Sequence, residues 1–177
     1  MPWAGTVFRS ASVRYANRDN FLTGAGAQKA GARWNPADSF ASIYVSLTPE
    51  TAIQESLAHF RYYGLPAEDA LPRVLAAAQV VLRRVLNLTD VKVRKTLKVS
   101  LADLLDVDWR AEAKTGREAL PQAIGRLAWN AKWEALMVPS AVDPSGKNLI
   151  VFPGNLDAPS SYLLIMNRDQ LPQHPAS

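Results

Sequence analysis

Apolar and polar positions alternate most cleanly from Ser42 to Leu47. Ile43, Val45 and Leu47 point one way and Tyr44 and Ser46 the other, which predicts a strand with its aliphatic side in the core. Thr48-Pro49-Glu50 then reads as a helix start: a capping hydroxyl, a proline at the first helical position and an acid near the positive end of the dipole. This helix is predicted to run to about Tyr62, before Gly64 and Pro66, with Ile53, Leu57 and Phe60 as its apolar stripe. Glu55 falls about 200° round the helix from Ile53, off that stripe, where a carboxylate can face a cleft.

The remaining pattern is less regular. Gly5 to Ser12 predicts a strand, and Thr23 through Gly26 to Gly31 a polar, glycine-bearing loop. Arg33-Trp34-Asn35 is expected to be extended before Pro36. Val74 to Leu82 reads as a buried strand. A short helix is expected after Asp90, another from the Ser100–Asp103 cap, and a longer one over Glu118 to Trp129 with Pro121 in its first turn. Short strands are predicted at Leu136–Val138, Leu149–Phe152 and Tyr162–Met166. Strands mixed with short helices, without a βαβ rhythm, predict an α+β domain with a mixed, largely antiparallel sheet and peripheral helices. No repeat or linker divides the 177 residues, so one domain is expected, with its core over about 5–168 and a C-terminal tail at 169–177.

Composition narrows the chemistry. There is no cysteine, which excludes disulfides, thiolate zinc sites, iron–sulfur clusters and cysteine nucleophiles. The two histidines are His59, read as an ordinary helix or surface residue, and His174, in a proline-rich tail. No apolar run reaches the length of a membrane span, and Met1 to Arg9 carries no basic segment followed by an apolar one, so a cytoplasmic protein is expected. Walker-type, dinucleotide-fold and nucleophile-elbow motifs are missing. Ser140, without a convincing base, is a poorer nucleophile than hydrogen-bonder.

The net charge of +4 is unevenly spread. Residues 1–35 hold Arg9, Arg14, Arg18, Lys29 and Arg33 against Asp19 alone. Residues 73–98 hold seven basic side chains against Asp90 alone and read as a solvated face. A non-catalytic module binding nucleic acid through that segment is the rival from another class, but no aromatics are interleaved there for base stacking, so direct nucleic-acid binding is not expected.

Arg33, Tyr44 and Glu55 recur at intervals of eleven, on a loop end, the polar side of a strand and the off-stripe face of the next helix. If the strand and helix are neighbours, the three converge on one cleft. Each also has an ordinary reading, as a surface arginine, a half-buried strand aromatic and a solvated helix glutamate.

The run Gly31-Ala-Arg33-Trp34-Asn35-Pro36, with Ile43-Tyr44-Val45, Ala52-Ile-Gln-Glu55, Val138-Pro139-Ser140-Ala141 and Asn148-Leu149, resembles the RES domain. The matching segments extend from about Phe8 to Phe152. The family's eponymous arginine, glutamate and serine match Arg33, Glu55 and Ser140, and Ala32 stands where a second glycine is common. The resemblance implies an ADP-ribosyltransferase-like fold and a toxin of a bacterial toxin–antitoxin pair that consumes NAD+ without a metal. It also implies an Xre-like helix-turn-helix antitoxin as partner. The oligomeric state stays open, a homodimer among the options.

On that footing Glu55, Arg33 and Tyr44 are expected at the catalytic centre, and Arg9, Arg33, Tyr44 and Ser140 against the dinucleotide. Glu55 would stabilise an oxocarbenium-like ribose, Tyr44 would stack on nicotinamide, and the arginines would neutralise the pyrophosphate. Transferases that modify arginine often carry a second Glu or Gln two residues before the catalytic Glu; here that position is Ile53. Water or phosphate is therefore expected as acceptor ahead of a protein side chain.

Overall fold

The structure, a computed structural model, describes residues 1–173; His174 and the other tail residues to 177 lie outside the described residues. Seven strands form one sheet: β1 (Trp3–Ser12), β2 (Ile43–Ser46), β3 (Arg73–Leu82), β4 (Val85–Asn87), β5 (Ala135–Pro139), β6 (Lys147–Val151) and β7 (Tyr162–Ile165). Their order is β4-β5-β6-β2-β1-β3-β7, and every pairing is antiparallel except β4 with β5. The α+β fold with a mixed, largely antiparallel sheet is therefore as expected.

Strand alternation sorts the core into layers. Val7, Ile43, Val45, Val80, Leu82, Met137, Leu149 and Val151 share one cluster, drawn from both halves of the sheet. Among the described residues no helical side chain enters it, so the halves close on each other. The alternate positions Leu136, Val138 and Ile150 face a second cluster with Trp34, Phe40 and Phe152. Helices α3 (Val91–Leu97), α4 (Leu101–Leu105) and α6 (Leu120–Asn130) cover it through Val93, Leu104 and Ala128. A third, smaller cluster holds Ala11, Ala16, Phe21 and Leu171.

Helix caps follow the local chemistry. Thr48 accepts from the Thr51 N–H to start α2 (Pro49–Tyr62), and Ser100 with Asp103 forms a reciprocal capping box on α4. Pro121 sits in the first turn of α6.

Several local features differ from expectation. Arg33 and Trp34 are not extended but form a turn bridged by Ala32 and Asn35, and β3 is only partly buried, with Leu75 44% exposed. The glycine-bearing loop contains a helical turn and a half, α1 (Ala25–Ala30), bounded by Gly24 and Gly31 at φ 72° and 70°. The flanking glycines signalled a loop, whereas the Ala-Gln-Lys-Ala between them favours helix. Strand β4 and helix α5 (Trp109–Lys114) were not anticipated; both are too short to show a period. Ile53 is not on a buried stripe: it is 43% exposed, and the buried residues of α2 are Thr51 and Ala52. This helix turns a mixed polar face to a cleft instead of seating an apolar stripe on the core, which is why hydrophobic spacing misassigned it.

The 73–98 segment is not one basic face. Arg73 bonds Ser10 on β1, Arg83 pairs with Asp157, and Arg94 donates to the carbonyls of Leu88 and Thr89. Among the described residues no helix is long and apolar enough to cross a membrane.

Candidate active site

β1 and β2 meet at a single ladder position, Phe8 opposite Ser46. Beyond it a cleft of about 570 Å³ lies between the ends of these strands and α2. Arg9, Arg33, Tyr44 and Glu55 all line it, and Glu55 is the one carboxylate among the lining residues described. The volume falls within the range of small-molecule sites.

Glu55 is held from the opposite side of the cleft. Ser140 Oγ donates to Glu55 Oε1 at 2.7 Å, and Asn148 Nδ2 donates to the same oxygen at 2.5 Å. Neither donor is free to turn away. Ser140 Oγ accepts the N–H groups of Val142 and Asp143 at 3.1 and 3.0 Å, which leaves its own hydrogen for the carboxylate. Asn148 Oδ1 accepts from Ser46 Oγ at 2.7 Å, which fixes the amide with Nδ2 toward Glu55. Both bonds fall on Oε1, and Oε2 takes neither. Thr51 Oγ1 donates to Asp143 Oδ2 at 2.6 Å and ties the first turn of α2 to the loop carrying Ser140.

Tyr44 is anchored by its hydroxyl. The phenol donates to Asn35 Oδ1 at 2.8 Å and accepts the Trp34 N–H at 2.9 Å. Burial raises its pKa far above the ordinary phenol value, so it stays neutral. Asn35 is fully buried and donates to the carbonyl of Ala27 at 2.7 Å. Gln122 on α6 donates to the Ala32 carbonyl at 3.0 Å. The Arg33-Trp34-Asn35 block is thus clamped from three sides. Gly31 supplies the left-handed residue at φ 70°, where a Cβ would lie 2.8 Å from the Ala37 nitrogen; Ala32 is outside that region and fits the turn. Gly125 lets α6 approach the Trp34 carbonyl oxygen, which an added Cβ would meet at 1.8 Å.

The arginines differ in what they do. Arg33 Nη1 donates to the carbonyls of Leu104, Leu105 and Val107 at 3.1, 3.1 and 3.2 Å. It satisfies open acceptors at the end of α4 and holds the connection to α5. Burial lowers its pKa, and Arg110 lowers it further, while nearby Glu55, Tyr44 and Asp108 oppose the shift. Arg9 Nη1 donates to the Tyr44 carbonyl at 3.3 Å, its guanidinium lies 5.7 Å from the Phe21 ring centroid, and its buried Nε has no protein partner. Burial first, and Arg73 second, lower its pKa to about 10. A half-buried cation with an unpartnered Nε and no carboxylate beside it is costly, and an anionic ligand in the cleft would relieve that cost.

All five side chains expected from the sequence therefore gather here: four line the cleft and Ser140 braces the fourth of them, Glu55. Sequence reasoning missed Ser46, Asn35 and the support role of Asn148. The Asn148-Leu149 pair was visible, but only the pairing of β2 with β6, which sets Ser46 opposite Asn148, gives it a task. The far rim was also missed; Tyr62, Trp109 and Arg110 line it, with His59 nearby.

The RES domain family model matches residues 6–171. The NAD(+) phosphorylase MbcT of Mycobacterium tuberculosis is 28% identical over 151 residues, spanning 84% of this chain and 73% of that protein; the Mycobacterium bovis protein of the same name matches equally. A Prs ADP-ribosylating toxin of a Sphingobium species is 30% identical over 137 residues, 77% of this chain and 75% of that one. Among solved structures, the M. tuberculosis MbcT–MbcA toxin–antitoxin complex aligns with a TM-score of 0.72 at 24% identity, covering 96% of this chain and 87% of the other.

Proposed function

The chain belongs to the RES domain family, and from that premise we propose that it cleaves the nicotinamide–ribose bond of NAD+, with phosphate or water as acceptor. The observation that carries this reading is Glu55, the one carboxylate among the described lining residues, fixed by Ser140 and Asn148 in a cleft that Arg9 and Arg33 also line. Nicotinamide leaves as a neutral ring when the C1′–N bond electrons return to its cationic nitrogen, so no general acid is required. Positive charge develops on the ribose, and a preoriented carboxylate stabilises it. Glu55 Oε2, which takes neither of the two bonds, is the oxygen we assign to the ribose and its 2′-hydroxyl. The Tyr44 ring stacks on nicotinamide, and Arg9 and Arg33 offset the charge of the pyrophosphate.

Phosphate is the acceptor we favour. The lining residues include Arg9, Arg33 and Arg61, which suit a second anion, and no further carboxylate lines the described cleft to activate a neutral nucleophile. A phosphate oxygen bonds to C1′ as the nicotinamide bond breaks, giving nicotinamide and ADP-ribose 1″-phosphate. The names of the mycobacterial relatives support the same choice. Acting on the cytoplasmic NAD+ pool, such an enzyme is a toxin, and it requires a cognate antitoxin, which we assign to the Xre-like helix-turn-helix class.

The second reading, protein ADP-ribosylation, rests on the Sphingobium relative. One assay separates the two: NAD+ is incubated with pure protein, with and without phosphate, and nicotinamide and the sugar product are followed. Phosphate-dependent nicotinamide release, lost in Glu55→Gln, is expected. Release only on addition of a protein acceptor favours the second reading. No release under any of these conditions defeats both.

A further inference from the structure

The far rim of the cleft is a built stack. Arg110 lies over two rings, with its guanidinium carbon 4.7 Å from the Tyr62 centroid and 4.4 Å from the Trp109 centroid. All three side chains line the cleft, and Trp109 and Arg110 are half-buried. Asp108 assembles them. Its Oδ1 accepts the N–H groups of Arg110 and Ala111 at 3.1 and 3.0 Å and starts α5. Its Oδ2 accepts from the Tyr62 hydroxyl at 2.9 Å and clips the end of α2 to α5. Arg33, by holding the carbonyls of Leu104, Leu105 and Val107, fixes the segment that delivers Trp109. Nothing in the chemistry at Glu55 uses this stack.

We infer that Tyr62, Arg110 and Trp109 form the wall that takes the purine base of the dinucleotide. The inference rests on the NAD+ reading for the identity of the ligand and on the rim geometry for the place. Tyr62 follows Glu55 by seven residues on one helix, so it lies on nearly the same face and about 10 Å further along. Nicotinamide is bonded to the ribose carbon under attack and must sit beside Glu55. A flat aromatic wall two helical turns away meets the other base, across the span of the pyrophosphate and second ribose. Rings and a guanidinium accept a purine as one more layer, and the cation adds attraction to its π face. Arg33 then acts twice, at the ligand and as a positioning residue for the wall.

The test measures binding and turnover in Trp109→Ala and Trp109→Phe. Calorimetry with ADP-ribose reads the wall without any bond cleavage. Wild type binds it; Trp109→Ala weakens binding on the order of tenfold, and Trp109→Phe, which keeps a ring, restores most of it. Nicotinamide mononucleotide carries the same scissile bond without the adenylate. In turnover, the wild-type preference for NAD+ over the mononucleotide, as a ratio of kcat/KM, falls on the order of tenfold in Trp109→Ala. Unchanged ADP-ribose affinity in Trp109→Ala overturns the inference, as does no ADP-ribose binding by wild type. Equal losses for both substrates also overturn it, because the stack then only props the cleft. If wild type binds ADP-ribose through Trp109 but cleaves neither substrate, the wall stands and the NAD+-cleaving reading falls.

Discussion

Asn148 Nδ2 donates to Glu55 Oε1 at 2.5 Å, joining β6 to α2 across 93 positions of sequence. The bond does more than satisfy a buried amide. It aims one carboxylate oxygen at the sheet and leaves the other for the cleft. If Glu55 stabilises the ribose cation, Glu55→Gln should lower kcat for nicotinamide release on the order of 10²–10³-fold, with little change in thermal stability. Asn148→Ala should lower kcat less, on the order of tenfold, with KM nearly unchanged, if its part is to position the carboxylate. An Asn148→Ala enzyme that loses affinity alone would contradict this assignment.

Tyr44→Phe keeps the ring on the cleft and removes the hydroxyl. The Trp34 N–H and the Asn35 Oδ1 both lose their partner. The expected loss of stability is about 1–3 kcal/mol, measured by urea unfolding. Retained stability would mean that water replaces the phenol.

Arg33→Ala should free the 104–110 segment. Three carbonyls lose their donor, so amide hydrogen exchange there should quicken while the core strands keep their protection. KM for NAD+ should rise with it. Unchanged exchange at 104–110 would remove the positioning role.

Arg9 is held against its own preference. Its pKa falls from the ordinary arginine value to about 10, so the folded state disfavours its charge. Arg9→Met should therefore raise stability, on the order of 1–3 kcal/mol, while KM for NAD+ rises several-fold or more. The sign in pH follows from linkage. Below about 10 the charged form persists in the folded state and the cost is full; above about 10, up to the ordinary arginine value, the unfolded chain binds more protons, and the cost fades as pH rises. The stability gain of Arg9→Met should thus be constant at pH 7–9 and shrink above pH 10. A melting temperature that falls on substitution would refute the strained-cation account.

Gly125→Ala places a methyl group 1.8 Å from the Trp34 carbonyl oxygen, so α6 must withdraw from the Arg33-Trp34-Asn35 block. A destabilisation of about 3 kcal/mol or more is expected in a thermal or urea melt, with activity falling in the surviving folded fraction. A variant as stable as the parent would mean that the helix shifts freely there.

Much of this protein was legible in one dimension because the signals are local. Alternation over 42–47, the Thr48-Pro49-Glu50 start, the Ser100–Asp103 box and the proline within the first turn of α6 depend on nearest neighbours, and those elements form where the pattern sets them. Arg33, Tyr44, Glu55 and Ser140 could be singled out because they stand in short, recognisable runs, whereas Arg9 stands in none of them and was named only on the resemblance.

Tertiary structure decided what those side chains do. Ile53 looks like core by spacing and is exposed, because a helix facing a polar cleft obeys the cleft and not the apolar stripe. Arg33 looks like a free ligand-binding cation and gives one nitrogen to three carbonyls more than 70 residues away. Ser46, Asn148 and the Tyr62–Arg110–Trp109 stack acquire their roles only when strands far apart in sequence pair and two helices meet. Propensity and capping act over a few residues of chain, whereas hydrogen-bond satisfaction and charge burial are settled among whatever groups the fold brings together.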